Sequence, residues 1–164
     1  MSGKYVTTEN AAMFQLTPIG QVRTPWSRGN CPKNMRMARE TGQSASLLID
    51  APWRAGLAGI ERASHLIVLG WFADVDRGVL VQQPKHLASP QGCFSLRTPA
   101  RPNPIGVSIV RRGRIDVAQG LIKIDALDWF DGTPLLDIKP YYPATDQHPD
   151  ASVLEPPKGA LEKS

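Results

Sequence analysis

Three short segments of the chain combine the residue types that bind and orient a charged ligand. The first is Arg97-Thr98-Pro99-Ala100-Arg101-Pro102-Asn103-Pro104-Ile105-Gly106. Pro99, Pro102 and Pro104 fix φ and bias the residue before each toward extended geometry, so Arg97 and Arg101 sit on a stiff, pre-shaped loop. Such a loop loses little entropy on binding, and the guanidinium fork suits planar or anionic groups. A rigid strand lead-in, with Asn103 bonding its own backbone, is the structural alternative. The second segment runs from Asp128-Trp129-Phe130-Asp131-Gly132-Thr133-Pro134 through Leu135-Leu136-Asp137-Ile138-Lys139-Pro140-Tyr141. Asp-Gly followed by Thr-Pro is a tight turn, and Gly132 lets a ligand approach the backbone closely. Asp128, Asp131 and Asp137 need partners wherever they are buried. Asp128 or Asp137 paired with Lys139 or an arginine is the structural reading, favoured for Asp137; Asp131, at the turn apex, is the better functional candidate. The third segment, Arg23-Thr24-Pro25-Trp26 through Asn30-Cys31-Pro32-Lys33-Asn34, is a basic, proline-containing loop.

Other chemistries lack their residues. Cys31 and Cys93 stand far apart and read as reduced thiols. His65, His86 and His148 are scattered, and no HxxxH or CxxC spacing is present, so no metal site is expected. There is no GxGxxG, no GxxxxGK[ST] and no GxSxG. Gly56 and Gly59 form only GLAG, read as helix-entry glycines. A Rossmann or phosphate-loop solution is excluded.

The elements that must position these loops are short. The 164 residues include 15 Pro and 14 Gly, which cut the chain finely and exclude a long-helix bundle. Apolar or alternating runs predict strands at Phe14 to Val22, Leu47 to Ile49, Leu66 to Phe72, Val79 to Val81, Ile105 to Val110 and Leu121 to Leu127. The run Leu66 to Phe72 is the candidate central buried strand. Leu57, Ile60 and Ala63 predict two turns of helix after Pro52-Trp53. Many short strands separated by turns argue for an all-β barrel or sandwich. Residues 1–12 and 148–164 read as mobile tails around one domain at 13–147. The longest apolar run is too short to cross a bilayer, and the first residues have no apolar core of a signal peptide, so no membrane partner and a cytoplasmic location are expected. Net charge is +4, with 15 Lys and Arg against 6 Asp and Glu over residues 1–114 and the opposite balance beyond. A folded basic face for an anionic partner is permitted.

The motifs IGQVRTPW, GLAGIERASHL, GCFSLRTPARPNPIGVS and LDWFDGTPLLDIKPYYP, in this order and spacing, resemble the TsaA-like family, also called the YaeB or TrmO family. RPNPIG and DGTPLLDIKPY are the most specific, and the resemblance covers roughly residues 14–150. It implies an all-β fold, a single-sheeted β-barrel with one short helix and long loops, and a homodimer. It implies S-adenosyl-L-methionine as cofactor and methyl transfer to N6 of threonylcarbamoyladenosine beside the anticodon of a tRNA substrate. Carried over residue by residue, it places the cofactor among Pro32, Lys33 and Asn34, the Arg97 loop, and Asp131, Gly132, Thr133 and Pro134. Arg101 and Asn103 are expected at the substrate. Lys33 stands where the family often has arginine, and Ala73 where relatives commonly carry histidine. The resemblance also implies a C-terminal extension in longer relatives, whereas the sequence given ends soon after the expected barrel.

Methyl transfer from a sulfonium is an in-line displacement, for which orientation can supply about 7–11 kcal/mol of the barrier. A carboxylate held against the sulfonium would stabilise the ground state more than the transition state. Asp131 is therefore assigned to the cofactor's polar groups or to loop geometry, Arg97 to its carboxylate or to loop fixation, and the Gly132 and Thr133 amides to adenine or ribose. No catalytic base is identified. A methyltransferase of the same fold acting on a small metabolite is one alternative. A non-catalytic S-adenosylmethionine- or RNA-binding module, with Trp26, Trp53 or Trp71 stacking on bases, is the other.

Overall fold

The computed structural model describes residues 14–85 and 87–153; most of the expected tails at 1–12 and 148–164, and His86, lie outside them. Eight strands form: β1 (Gly20–Arg23), β2 (Ala45–Ile49), β3 (His65–Trp71), β4 (Val81–Gln82), β5 (Gln91–Gly92), β6 (Ile105–Asp116), β7 (Leu121–Ile124) and β8 (Pro134–Pro140). Six of them make one large antiparallel sheet in the order β1-β2-β7-β6-β3-β8, and β8 returns to β1, so the ladder closes into a barrel. The strands β4 and β5 pair only with each other.

Alternation along each strand drives this closure. On β3 the buried residues are Leu66, Val68 and Gly70, and on β6 they are Gly106, Ser108 and Val110. With Val22, Leu47, Ile49, Ile122, Ile124 and Leu135 they fill the interior, as expected where few strands leave room only for side chains. Each fully buried aliphatic side chain contributes about 1.5–3 kcal/mol by leaving water. No described helix is long and apolar enough to cross a membrane.

Helix placement differs from expectation. The segment around Leu57 to Ala63 forms 3-10 turns at Ala51–Leu57 and Ile60–Arg62, interrupted where Gly59 takes φ +83°. Helix α1 lies instead at Met35–Glu40, where Asn34 adopts extended backbone and its side chain accepts the Met37 N–H at 2.9 Å. A second short helix, α2, spans Pro143–Asp146. The first strand is shorter than the run Phe14 to Val22 predicts. β3 is buried on one face only: Ile67, Leu69 and Trp71 point outward, half-exposed.

Two glycines shape the end of the barrel that carries the candidate loops. Gly70 and Gly106 face each other across the β3–β6 ladder, and β3 shifts register against β8 at Leu69/Gly70. Neither has a side chain, so the wall is recessed there, and Trp129 fills the recess with Phe72 edge-on at 5.3 Å. A Cβ on Gly106 would lie 2.6 Å from the Phe72 ring and 2.8 Å from the Trp129 indole. Gly106→Ala should therefore lower unfolding free energy by about 1–3 kcal/mol in urea titrations followed by tryptophan fluorescence. Gly92→Ala, whose added Cβ meets nothing within 4 Å, should stay within about 0.5 kcal/mol of the parent.

Candidate functional site

Strand β6 pairs with β3 along Ile105–Arg111 but with β7 only from Arg112 onward, so its first half has a free edge. Two arginines close part of that edge. Arg97 Nη2 donates to the Val107 carbonyl at 2.9 Å, and Arg39 Nη2 donates to the Ile109 carbonyl at 2.9 Å. Asp125 continues the row: Oδ1 accepts the Arg111 N–H at 2.8 Å, and Oδ2 accepts Arg39 Nε at 2.9 Å. Beside this edge opens a cleft of about 1270 Å³. Its walls are the 31–36 segment with Arg39, the Trp71–Val75 exit of β3, the Arg97–Arg101 loop, the start of β6, and residues 128–134.

The 128–134 segment is fixed carbonyl by carbonyl. Trp26 Nε1 donates to the Leu127 carbonyl at 2.8 Å, the Cys31 thiol to that of Asp128 at 3.2 Å, and Thr24 Oγ1 to that of Trp129 at 2.8 Å. The backbone adds Asp131 N–H to the Trp26 carbonyl and Gly132 N–H to the Val22 carbonyl. The loop after β1 is therefore a template on which the second loop is laid.

Burial sets the electrostatics. Burial, and then the Asp128 charge, push the Cys31 thiol up to about 11, so it stays protonated as a donor and is no nucleophile near neutral pH. Burial raises the Asp128 carboxyl, opposed by its own backbone N–H and by the Arg97 and Arg39 charges. At Asp125, burial alone would raise the carboxyl, but Arg39 and the Arg111 and Ala126 N–H groups outweigh it and hold the group below the usual range. Among the described residues no histidine lines the cleft. Among the described residues no group of three or more His, Cys, Asp or Glu is arranged to hold a metal.

The cleft brings together Pro32, Lys33, Asn34, Arg97, Arg101, Asp131, Gly132, Thr133 and Pro134. Ala73 lines it as well. Asn103 is not among its walls; the side chain is exposed and its carbonyl takes the Ile105 N–H at 2.8 Å. Several expected contacts are already made within the protein. The Gly132 and Thr133 amides donate to the Val22 and Phe130 carbonyls, so they are not free for adenine or ribose. Asp131 accepts the Thr24 N–H at 3.1 Å and pairs with Arg23 at 3.3 Å, which makes it a loop tie. Arg101 holds the carbonyls of Thr98, Cys93 and Leu96 and staples its own loop. Asn34 caps α1. Asp137 pairs with Lys139 at 2.7 Å. Of the expected stacking residues, Trp26 is tied through its indole N–H and Trp71 lies under the Arg77 guanidinium at 5.3 Å. The features missed from sequence are Arg39, the β6 edge and the free state of Asp128.

This arrangement defines a class: a mostly-β domain with a preorganised cleft and, among the described residues, no clustered metal ligands. A sequence model of the tRNA-methyltransferase O N-terminal domain matches residues 21–147, and the chain belongs to that family. It is 44% identical over 123 residues to the probable S-adenosyl-L-methionine-binding protein VirR of Rhizobium radiobacter, covering 74% of this chain and 67% of that protein. It is 32% identical over 146 residues to the tRNA (adenine(37)-N6)-methyltransferase of Escherichia coli, covering 85% of this chain and 62% of the enzyme. The crystal structure of TrmO from Pseudomonas aeruginosa superposes with a TM-score of 0.69 at 30% identity, over 88% of this chain and 62% of that one. The chain thus spans about three fifths to two thirds of these relatives.

The Arg39–Asp125 contact carries a pH signature. A carboxyl held below its unfolded value, about 3.9, adds stability above that value and loses it as pH falls through the folded one. Asp125→Asn should cost about 1–3 kcal/mol near neutral pH, and the gap from the parent should narrow as urea titrations are taken below about pH 4. A gap of constant size down to about pH 2 would show that the carboxylate charge contributes nothing.

Proposed function

We propose that the chain is an S-adenosyl-L-methionine-dependent methyltransferase acting on N6 of threonylcarbamoyladenosine next to the tRNA anticodon in the cytoplasm. The observation that carries this reading is the meeting of three sequence-distant loops in one cleft of a TrmO-family domain. The donor set suits a nucleotide with a zwitterionic tail. Arg97 uses one guanidinium N–H on Val107 and keeps others for a carboxylate, and Trp71, Phe72 and Val107 supply apolar wall. Names of relatives as S-adenosylmethionine-binding proteins support the same cofactor.

When bound, the cofactor supplies an electrophilic methyl group on a cationic sulfur. The protein's part is orientation and exclusion of water. Arg97 holds the ligand carboxylate, the 128–134 loop arrives pre-formed, and the buried Trp129 keeps the floor dry. Phe130, 42% exposed on the cleft wall, offers a face on which a purine stacks. Lys33 at the rim has an exposed ammonium for a phosphate.

A second copy of the chain covers the outer face of β3 and β6. There Ile67, Leu69 and Trp71 stand opposite Ile109, Val107 and Ile105, and the last three are 45%, 43% and 38% exposed. The same three β6 residues border the cleft, so a partner on this face would complete its wall.

Labelled S-adenosylmethionine and tRNA carrying threonylcarbamoyladenosine test the activity, with nucleoside mass spectrometry as the readout. Methylated nucleoside is expected. Methylation of a small acceptor in place of tRNA would move the substrate to a metabolite, and no turnover on either would leave a binding module. Arg97→Ala should weaken cofactor binding on the order of 10- to 100-fold by calorimetry, the worth of a charge-assisted hydrogen bond. Unchanged affinity removes Arg97 from the site. Ile109→Glu should halve the particle mass in light scattering.

A further inference from the structure

We infer that the Asp128 carboxylate accepts the proton that the acceptor nitrogen loses as it gains the methyl group, an inference that rests on the methyl-transfer reading above. Four carboxylates stand in or beside the cleft, and three are otherwise placed. Asp131 is tied to Arg23 and the Thr24 N–H, Asp125 to Arg39 and the Arg111 N–H, and Asp74 is exposed at the rim. Asp128 is half-buried on the cleft wall and makes no ion pair or hydrogen bond to another described side chain. Its position is nonetheless fixed, because its carbonyl accepts the Cys31 thiol and the next residue is the buried Trp129. A carboxylate that is held in place, partly desolvated and bonded only to its own backbone N–H among the described groups is suited to an incoming N–H.

The electrostatics favour a proton acceptor over an inert carboxylate. Burial raises the carboxyl, while its own backbone N–H, Arg97 from the loop before β6 and Arg39 from α1 act against the rise. Cys31, on the loop before α1, stays a neutral thiol and adds no charge. In the reaction the methyl carbon passes to nitrogen, the C–S electron pair stays on sulfur, and the cationic sulfonium becomes a neutral thioether. The N–H bond breaks, its electrons remain on nitrogen, and the proton goes to an Asp128 carboxylate oxygen and then to water. An acylated adenosine N–H is acidic enough for a carboxylate to take its proton as the N–C bond forms.

Asp128→Asn and Asp128→Glu in the full chain test this by three measurements: single-turnover methyl transfer against pH, calorimetric affinity for S-adenosylmethionine, and carbon-13 NMR titration of the Asp128 carboxyl. The parent rate should rise with pH through a value above the ordinary carboxylate value of about 3.9, and the NMR titration should give the same value. Asp128→Asn should lower the rate about 100-fold or more, abolish that limb of the profile and leave cofactor affinity little changed. Asp128→Glu should restore a limb and part of the rate. A variant Asp128→Asn that keeps the limb, or most of the rate, overturns the proposal. So does a carboxyl that titrates at or below the ordinary value. A parent chain inactive on the modified tRNA overturns the substrate reading alone. The NMR titration still decides: a raised carboxyl that moves between S-adenosylmethionine and S-adenosylhomocysteine supports the role, and an ordinary one ends it.

Discussion

The seat of Trp129 against the Gly70–Gly106 pair is the constraint on which the cleft depends. Two facing glycines remove the side chains that would line the barrel wall, and an indole takes their place. Losing such a buried ring costs about 3–5 kcal/mol, whereas each hydrogen bond along the 127–133 carbonyls adds about 1 kcal/mol. The plug therefore decides that the loop docks, and the bonds from Trp26, Cys31 and Thr24 decide its register. Because the plug lies between Asp128 and Phe130, anchoring one residue places both neighbours on the cleft wall. A loop otherwise exposed at its apex is thereby held as firmly as a strand.

The free edge of β6 shows the second constraint. An unpaired strand edge is an open template for another chain, and folds commonly cover it. Here two guanidiniums, Arg97 and Arg39, bond alternate carbonyls where a neighbouring strand would lie. A strand would have filled the space; two side chains cap the carbonyls and leave a cavity beside them. The cleft exists because β7 meets β6 only from Arg112 onward, with a register shift between Arg112 and Ile115. The same arginines bring positive charge toward Asp128, so closing the edge and tuning the carboxylate are one device.

How far the sequence speaks for this arrangement varies by element. The loops around Lys33, Arg97 and Asp131 were legible because prolines and a long motif mark them, and they do meet in one cleft. Strand β8 was hidden because Pro134 and Pro140 bound it, and prolines at strand ends imitate a loop. Helix α1 was hidden because six residues with Ala38 as the one buried position give no periodicity, although Asn34 as a cap was a usable signal. The apolar run of β3 predicts a central buried strand; its outer half, Ile67, Leu69 and Trp71, faces outward beside the exposed residues of β6. Which aspartate stays free was illegible in principle. Asp131 and Asp128 differ only in who reaches them, and Arg23, Thr24 and Cys31 lie about a hundred positions earlier in the chain.

That partition of partners limits the chemistry the cleft can perform. Cys31, on its wall, is neutral and committed to a carbonyl, so its thiol is not available as a nucleophile near neutral pH. Among the described residues no imidazole lines the cleft, and Lys33 lies exposed at the rim. What remains is rigid geometry, a guanidinium with spare donors, an exposed aromatic face and the half-buried Asp128 carboxylate, which no described side chain pairs. Direct transfer between two bound molecules asks for little more, since most of its barrier is the entropy of bringing the reacting atoms into line. A cleft whose polar groups are mostly bonded to one another needs no reorganisation when its ligands arrive, and its few unbonded groups are the ones those ligands will meet.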